Sequence, residues 1–538
     1  MRRVAPRACN SSGTPQDEAK LGTQATKSSK SSTPAKQARR QSGRRAPTPR
    51  DGVERRSAQC YGCGVRVQLK ASDAAGYIDP ERYAKKLAHH QLSELLCARC
   101  EALAHGAMVN AVEGQGMTGR DARGLVSQDE LLASLKSLKD QAVLVLLLVD
   151  LTDLSGTFLG RLRESIGGNP VLAVGTKADL LPRDADRGAV RAWLADELGR
   201  RGLQIMGAMV AAPRCKDERK AAVGAIAGAV LRERKGRDVY VVGASNVGKS
   251  TFCRALLGAL RNRGDFIAQA GRLPVASAMP GTTLGAIRLQ AFGPKSALYD
   301  TPGVVLSHRL NSLLDGADID AITPRKPMRA LLASAPRLLA AAAGVKRPPY
   351  VVDLPAGLQA DTMSGLSAVW GGLVRVDVLA APPGLTLGFV GPAQLRLAIH
   401  TGLVGDDNDI ATAPEGGGWI PSAQNANTSS SGEPHREDAV EPPGSALVAA
   451  TGGLRMARSL EFDVPTSGRA HVADLAVSGL SAWVCVTAGE YADERWAIGS
   501  AGAGEGAVQK IRLRVWAPKG VLVFSRPSMP IMDPEDAL

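Results

Sequence analysis

The chain turns on one stretch, Val239-Tyr-Val-Val-Gly-Ala-Ser-Asn-Val-Gly-Lys-Ser-Thr-Phe252. Val239–Val242 is a short apolar run of the kind that forms a buried parallel strand, and Ser250–Leu260 continues with helical spacing. Between them, Gly243-x4-Gly248-Lys249-Ser250 fits the phosphate-loop pattern. The chemistry explains the spacing. Glycines let the backbone N–H groups of Gly243, Ala244, Ser245, Asn246, Val247 and Gly248 turn around a phosphate, and the helix N-terminus adds its positive end. Lys249 reaches the outer phosphates, Ser250 offers a hydroxyl to Mg²⁺, and Thr251 completes the contacting set. A chance Gly-rich turn is the alternative, but strand, loop and helix fall in the required order. The stretch predicts a bound nucleoside triphosphate.

At 538 residues the chain has room for several domains and a sizeable core. The longest apolar run, Ala142–Val149, has the length of a strand and falls far short of the ~18 residues of a membrane span, so none is expected. The net charge is +14, and its placement matters more than its size. Twelve basic side chains between Arg2 and Arg50 face only Asp17 and Glu18, so the first fifty residues carry +10 and the remainder +4. That argues against a folded body that binds polyanions in general. Four of the eight cysteines form two Cys-x-x-Cys pairs and the others follow no pattern, which suits a reduced compartment with one metal site.

Residues 1–56 are rich in Arg, Lys, Ser, Thr and Ala, cannot bury enough surface to fold, and have the composition of an organelle transit peptide. A basic tail that touches RNA in the mature protein is the alternative. A small module follows at 57–115. Cys60-Tyr-Gly-Cys63 and Cys97-Ala-Arg-Cys100 stand thirty-three residues apart, and each pair can chelate one face of a tetrahedral ion. Four thiolates leave no position open, so a structural Zn²⁺ is expected rather than a catalytic one; four independent buried or redox cysteines are the alternative.

From 125 to 320 strands and helices alternate, as in a doubly wound α/β sheet. Ala142–Val149 and Val171–Val174 read as strands, with Phe158–Ile166 as the crossover helix between them. Ala189–Arg200 and Lys220–Arg234 read as helices and Leu203–Val210 as a strand. Beyond the phosphate loop, Met279-Pro-Gly-Thr-Thr283-Leu284 leads to a strand over Ala286–Phe292. Ala297–Tyr299 then runs into Asp300-Thr-Pro-Gly303. An acidic residue ending a strand, followed by Gly, is what holds Mg²⁺ and senses the γ-phosphate in such folds. The base-reading pattern Asn/Thr-Lys-x-Asp does not occur downstream. Its match, Thr176-Lys177-Ala-Asp179, lies about seventy residues before the phosphate loop, at the carboxyl end of a predicted strand. A carboxylate there accepts two hydrogen bonds from guanine that adenine cannot offer.

Base reader first, phosphate loop second, switches last is the order of a circularly permuted GTPase. Together with the four-cysteine module, it resembles the YqeH-type family of bacterial and organellar ribosome-assembly GTPases. The resemblance extends to Trp370-Gly-Gly-Leu-Val-Arg-Val-Asp377, Asp474–Ser481 and Pro518–Val521, and so covers roughly three-quarters of the chain. It implies that Lys249 meets the β- and γ-phosphates, that Ser250, Thr283 and Asp300 serve Mg²⁺, and that the Gly303 N–H meets the γ-phosphate. It also implies a K⁺ ion beside Asn246. Thr176 replaces the usual Asn, Val210-Ala-Ala212 stands for the usual Ser-Ala, and Val304 follows Gly303 where some GTPases carry a water-orienting Gln. The last departure implies slow hydrolysis without a partner or cation.

Residues 321–404 read as a connector, helical over Met328–Ala343, and the first part of a C-terminal domain. Residues 405–445 read as a disordered insertion, and 446–538 as a small β-rich domain. Its basic residues, Arg455, Arg458, Lys510, Arg512, Arg514 and Lys519, suggest either a nucleic-acid face or a solvated sheet face. The expectation is a GTP/GDP switch that assists organellar small-subunit assembly by binding ribosomal RNA or a precursor particle, in the chloroplast rather than the mitochondrion. A GTP-gated RNA-binding scaffold without turnover is the alternative, and Asp179 opposes an ATPase.

Overall fold

Val143–Asp150 (β1) is eight consecutive residues buried on both faces, which only a strand covered by helices on each side can satisfy. In this computed structural model of the chain, β1 sits at the centre of a six-stranded sheet. Residues 58–531 are described apart from 73, 106–127, 213–215, 263–272, 276–282, 294–295, 315–318, 320–321, 343, 345–348, 354–361, 402–452, 465–468 and 490–509. The expected transit-like segment and the expected insertion at 405–445 lie outside the described residues.

The central sheet also contains Val171–Thr176 (β2), Gly207–Val210 (β3), Asp238–Val242 (β4), Ile287–Leu289 (β5) and Leu298–Asp300 (β6). Its order is β3-β2-β1-β4-β6-β5, parallel except for the β5–β6 pair. Helices Arg187–Arg200, Lys216–Arg234 and Lys249–Asn262 complete the αβ alternation. The expected crossover helix over Phe158–Ile166 is not continuous. Two short helices, Leu154–Thr157 and Leu162–Ile166, replace it, because Asp153 caps the first by accepting from Gly156 N–H and Phe158 is extended.

The chain then enters two further sheets. Their first strand, Arg329–Ser334 (β7), corrects the expected Met328–Ala343 helix, of which only Ala335–Ala342 is helical. β7 pairs antiparallel with Thr386–Gly391 (β11), and that ladder overrides the helical preference of its Ala and Leu residues. Val351–Asp353 (β8), Leu366–Trp370 (β9), Val374–Ala380 (β10), Leu397–Thr401 (β12), Leu454–Asp463 (β13) and Lys510–Pro518 (β16) form one sheet, in the order β13-β16-β10-β9-β12-β8. Arg469–Val477 (β14), Trp483–Gly489 (β15) and Val523–Arg526 (β17) join β7 and β11 as β17-β14-β15-β11-β7. The Trp370–Asp377 motif is the β9–β10 hairpin. Gly371 and Gly372 take φ of 59° and 68° at its turn, and Asp377 accepts from Arg375, Ser367 and Trp516 inside the sheet. One apolar cluster fills the space between these two sheets. Another spans the central sheet and takes in Trp483, Cys485, Met529 and Ile531. Among the described residues no helix is long and apolar enough to cross a membrane.

The basic residues of β13 and β16 do not form an uninterrupted cationic face. Glu461 pairs across the ladder with Arg512, Asp463 stands opposite Lys510, and Lys510 is ion-paired with Glu461.

Candidate nucleotide site and four-cysteine centre

β4 delivers the phosphate loop to the carboxyl edge of the sheet, and the helix from Lys249 follows it directly. Gly243 has to lack a side chain, since a Cβ would lie 2.5 Å from Leu148 O. Asn246 (φ 63°) and Gly248 (φ 90°) adopt left-handed backbone, the conformation from which anion-binding nests are built. Lys249 is 6% exposed, and its Nζ donates to the carbonyls of Gly243 and Ala244 at 3.1 and 2.8 Å. Burial pushes its ammonium down to about 8, against the opposing pull of Asp300.

Three oxygens from distant segments meet beside it. Ser250 Oγ donates to Asp300 Oδ2 at 2.8 Å and stands 3.2 Å from Thr283 Oγ1. Asp300 is fully buried, and among the described residues its Oδ1 has no hydrogen-bond partner. Burial raises its carboxyl to about 6, although Lys249 and Ser250 favour the charged form. A buried, unpaired carboxylate oxygen with two hydroxyls beside it is a donor set that a hard divalent cation satisfies. Gly303 packs so tightly that a Cβ would lie 2.8 Å from both Lys249 Nζ and Ser245 Cα. Val304 accepts from Ser245 N–H at 2.7 Å, and its side chain is buried in the core. Its N–H also donates to Gly243 O at 3.5 Å, so this position offers the loop backbone groups and no polar side chain.

Thr176–Asp179, the segment expected to read the base, stands at the end of β2, two strands from the phosphate loop. Thr176 Oγ1 lies 2.7 Å from Val247 O and 3.1 Å from Val149 O. A hydroxyl has one proton, so the shorter contact is the donated bond, and it ties this segment to the phosphate loop. Lys177 takes a left-handed conformation (φ 60°) and its ammonium pairs with buried Asp150 at the end of β1. Asp179 is half-buried in the turn Ala178–Leu180. Ala211 donates to Gly175 O and accepts from Ala178 N–H, which sets 211–212 beside that turn.

Sequence reasoning passed over a second layer. Asp153 accepts from Arg309 Nε and Nη2 (3.2 and 3.1 Å), from Gly479 N–H and from Gly156 N–H, while Arg309 Nη1 donates to Ser245 O. One buried ion pair thus touches the phosphate loop and the β14–β15 turn together. Asp150-x-x-Asp153 after a strand was its only sequence signal; Arg309 had none.

The four cysteines do come together. Cys60, Cys63, Cys97 and Cys100 are fully buried and their sulfurs all lie within 4.8 Å of one another. Cys63 and Cys97 are 3.9 Å apart, close to the ~3.8 Å edge of a tetrahedron with 2.3 Å Zn–S bonds. Cys97 N–H donates to Cys60 Sγ, as suits a thiolate. The cluster can hold zinc.

Residues 238–330 match the family described as 50S ribosome-binding GTPase. Over 88% of its length the chain is similar to two plant proteins. It is 33% identical to the putative nitric oxide synthase of Oryza sativa subsp. japonica, covering 78% of that protein. It is 34% identical to NO-associated protein 1, chloroplastic/mitochondrial, of Arabidopsis thaliana, covering 76% of it. Half of the chain is 31% identical to 65% of the protein YqeH of Bacillus subtilis (strain 168). With a phosphate loop, a convergent Ser/Thr/Asp set and a four-cysteine centre in one chain, and relatives of this extent, the protein belongs to the YqeH-type GTPases, the family of the plant NO-associated proteins.

Proposed function

We propose that this GTPase is circularly permuted and acts as a GTP/GDP switch in assembly of the small ribosomal subunit within an organelle, the chloroplast rather than the mitochondrion. The convergence of Ser250, Thr283 and Asp300 within hydrogen-bonding distance carries the reading of the chemical centre. These three hold Mg²⁺, Lys249 meets the β- and γ-phosphates, Gly303 N–H meets the γ-phosphate, and Asp179 reads guanine. The bound ion offsets charge developing on the transferred phosphoryl oxygens. Thr176 supports the permuted arrangement, since its bond to Val247 spans 71 residues backwards along the chain. Zn²⁺ in the cysteine cluster stabilises residues 57–115, and K⁺ beside Asn246 adds positive charge at the phosphates.

The Arabidopsis relative's name, chloroplastic/mitochondrial, supports an organellar location, and the basic composition of 1–56 agrees with it. The partner is ribosomal RNA or a small-subunit precursor bound by residues 446–538. Buried Val304 supports a switch that waits for its partner. Multiple-turnover GTP hydrolysis with and without purified small subunits tests the reading: acceleration by subunits is expected, and indifference to them refutes it. Replacing K⁺ by Na⁺ in the same assay is expected to slow turnover; an equal rate removes K⁺ from the site.

A further inference from the structure

The cysteine module does more than fold itself. Cys63 is one of the four clustered thiols, and its carbonyl accepts from both Leu284 N–H and Gly285 N–H, at 2.8 and 2.9 Å. These are the two residues that follow Thr283. On the other side of residues 276–282, Val275 N–H donates to Gly62 O, and the Val275 side chain is buried in the same apolar cluster as the four cysteines. Val275 on one side and Leu284 and Gly285, next to Thr283, on the other are therefore held by the Cys60–Gly64 knuckle. The approach is tight. A Cβ on Gly64 would lie 2.4 Å from Gly285 O, and one on Gly285 would lie 2.6 Å from Gly64 O. Neither partner is a flexible side-chain tip, so neither position accommodates a methyl group without moving the backbone.

We propose that the knuckle is a positioning element for Thr283. Through the Cys63 carbonyl, metal in the cysteine cluster and the γ-phosphate state of the nucleotide site are thermodynamically coupled. The proposal rests on the reading of Thr283 as a ligand to the nucleotide-bound ion. Its logic is reciprocity. If the knuckle favours the Thr283 position that serves the triphosphate, a bound triphosphate holds the knuckle closed around its metal by the same factor. A coupling of ordinary size is about tenfold. Gly64 N–H donates to Cys60 O and Cys60 N–H to Val65 O, which closes the Cys60–Gly64 turn, and a metal held by Cys60 and Cys63 would brace the same turn. The carbonyl that receives Leu284 and Gly285 is part of that turn.

The test uses the full, zinc-loaded chain. Zinc release to a competing chromogenic chelator is measured at equilibrium with GDP bound and with a non-hydrolysable GTP analogue plus Mg²⁺ bound. Affinities for both nucleotides are measured for the wild type and for Thr283→Ala, Val275→Ser and Gly285→Ala, with zinc content determined alongside. Zinc is expected to be held about tenfold more tightly in the analogue complex. Val275→Ser and Gly285→Ala are expected to weaken the analogue about tenfold, with GDP affinity and zinc content unchanged. A module that only folds itself would alter neither the nucleotide ratio nor the nucleotide dependence of zinc release. If Gly285→Ala does not fold, Val275→Ser and the zinc affinities decide. If Thr283→Ala weakens the analogue while the knuckle variants do not and release ignores the nucleotide, the positioning role is refuted and the Thr283 assignment stands. If Thr283→Ala leaves the analogue's affinity intact, that assignment fails and the proposal fails with it.

Discussion

Arg309→Met removes the cation from a buried pair and leaves the anion in place. Asp153 and Arg309 are 1% and 4% exposed, and the guanidinium places two donors on one carboxylate oxygen. Breaking such a pair from one side costs about 3–5 kcal/mol, since the surviving charge is desolvated and unpaired. The carboxyl is already strained. Burial raises Asp153 from 3.8 to about 6 even with Arg309 pulling it down, a shift worth about 3 kcal/mol at ~1.4 kcal/mol per pH unit. The sign follows from linkage. A carboxyl whose folded pKa lies above its unfolded value binds more protons when folded, so its contribution to stability is greatest in acid and is lost as pH rises from about 4 to about 6. Without Arg309 the folded value climbs further, so the variant goes on losing stability above pH 6 where the wild type has levelled off. Urea unfolding followed by tryptophan fluorescence at pH 5, 6, 7 and 8 reads this out for the wild type, Arg309→Met, Asp153→Asn and the double variant. The expected deficit of Arg309→Met is several kcal/mol at pH 8 and smaller at pH 5, with the double variant less destabilised than the sum of the singles. A pH-independent deficit below ~1 kcal/mol would refute the argument, since a buried unpaired carboxylate cannot be that cheap.

Three further outcomes follow from the site. If Asp179 reads guanine as proposed, Asp179→Ala removes two charge-assisted hydrogen bonds, each worth about 1.5–3 kcal/mol, so calorimetry should show GTP bound at least ~100-fold more weakly and its preference over ATP erased. Mg²⁺-dependent GTP binding should fall as pH drops through about 6, because burial raises Asp300 to that value and only the carboxylate serves a cation; Asp300→Asn should abolish the step. Val304→Gln should not speed hydrolysis, because the side chain enters the core rather than the phosphate site. It should instead lower stability by about 1–3 kcal/mol through an unsatisfied buried amide, measurable by thermal unfolding alongside phosphate release.

Several elements were legible because their causes are local. The phosphate loop needs glycines at set offsets between a strand and a helix, and Gly243–Ser250 supplies them within eight residues. Thr176–Asp179 follows an apolar strand at its carboxyl end. The strand Arg329–Ser334 was harder to read. Met328–Ala343 reads as helical from its Ala and Leu content, yet Ser334-Ala-Pro336 is a helix-start signal that marks where the strand stops. Propensity lost to the ladder with β11, a partner more than fifty residues away. Phe158–Ile166 failed similarly, since Asp153 lies outside the span and its cap closes a separate short helix.

What the sequence determined by itself was chemistry with a fixed local spacing: a loop that can wrap phosphates, two cysteine pairs that can chelate, a carboxylate that can read a base. Tertiary structure decided which of these act on one another. Ser250 and Asp300 meet because β4 and β6 lie side by side in the sheet, and Thr283 joins them from a separate segment. The ion pair between Asp153 and Arg309 joins residues 156 apart, and the Cys63 carbonyl meets Gly285 across more than two hundred. Such contacts leave no periodicity in the chain. They are selected by the desolvation of a buried charge and by the close approach of two glycines, and both exist only once the backbone has folded.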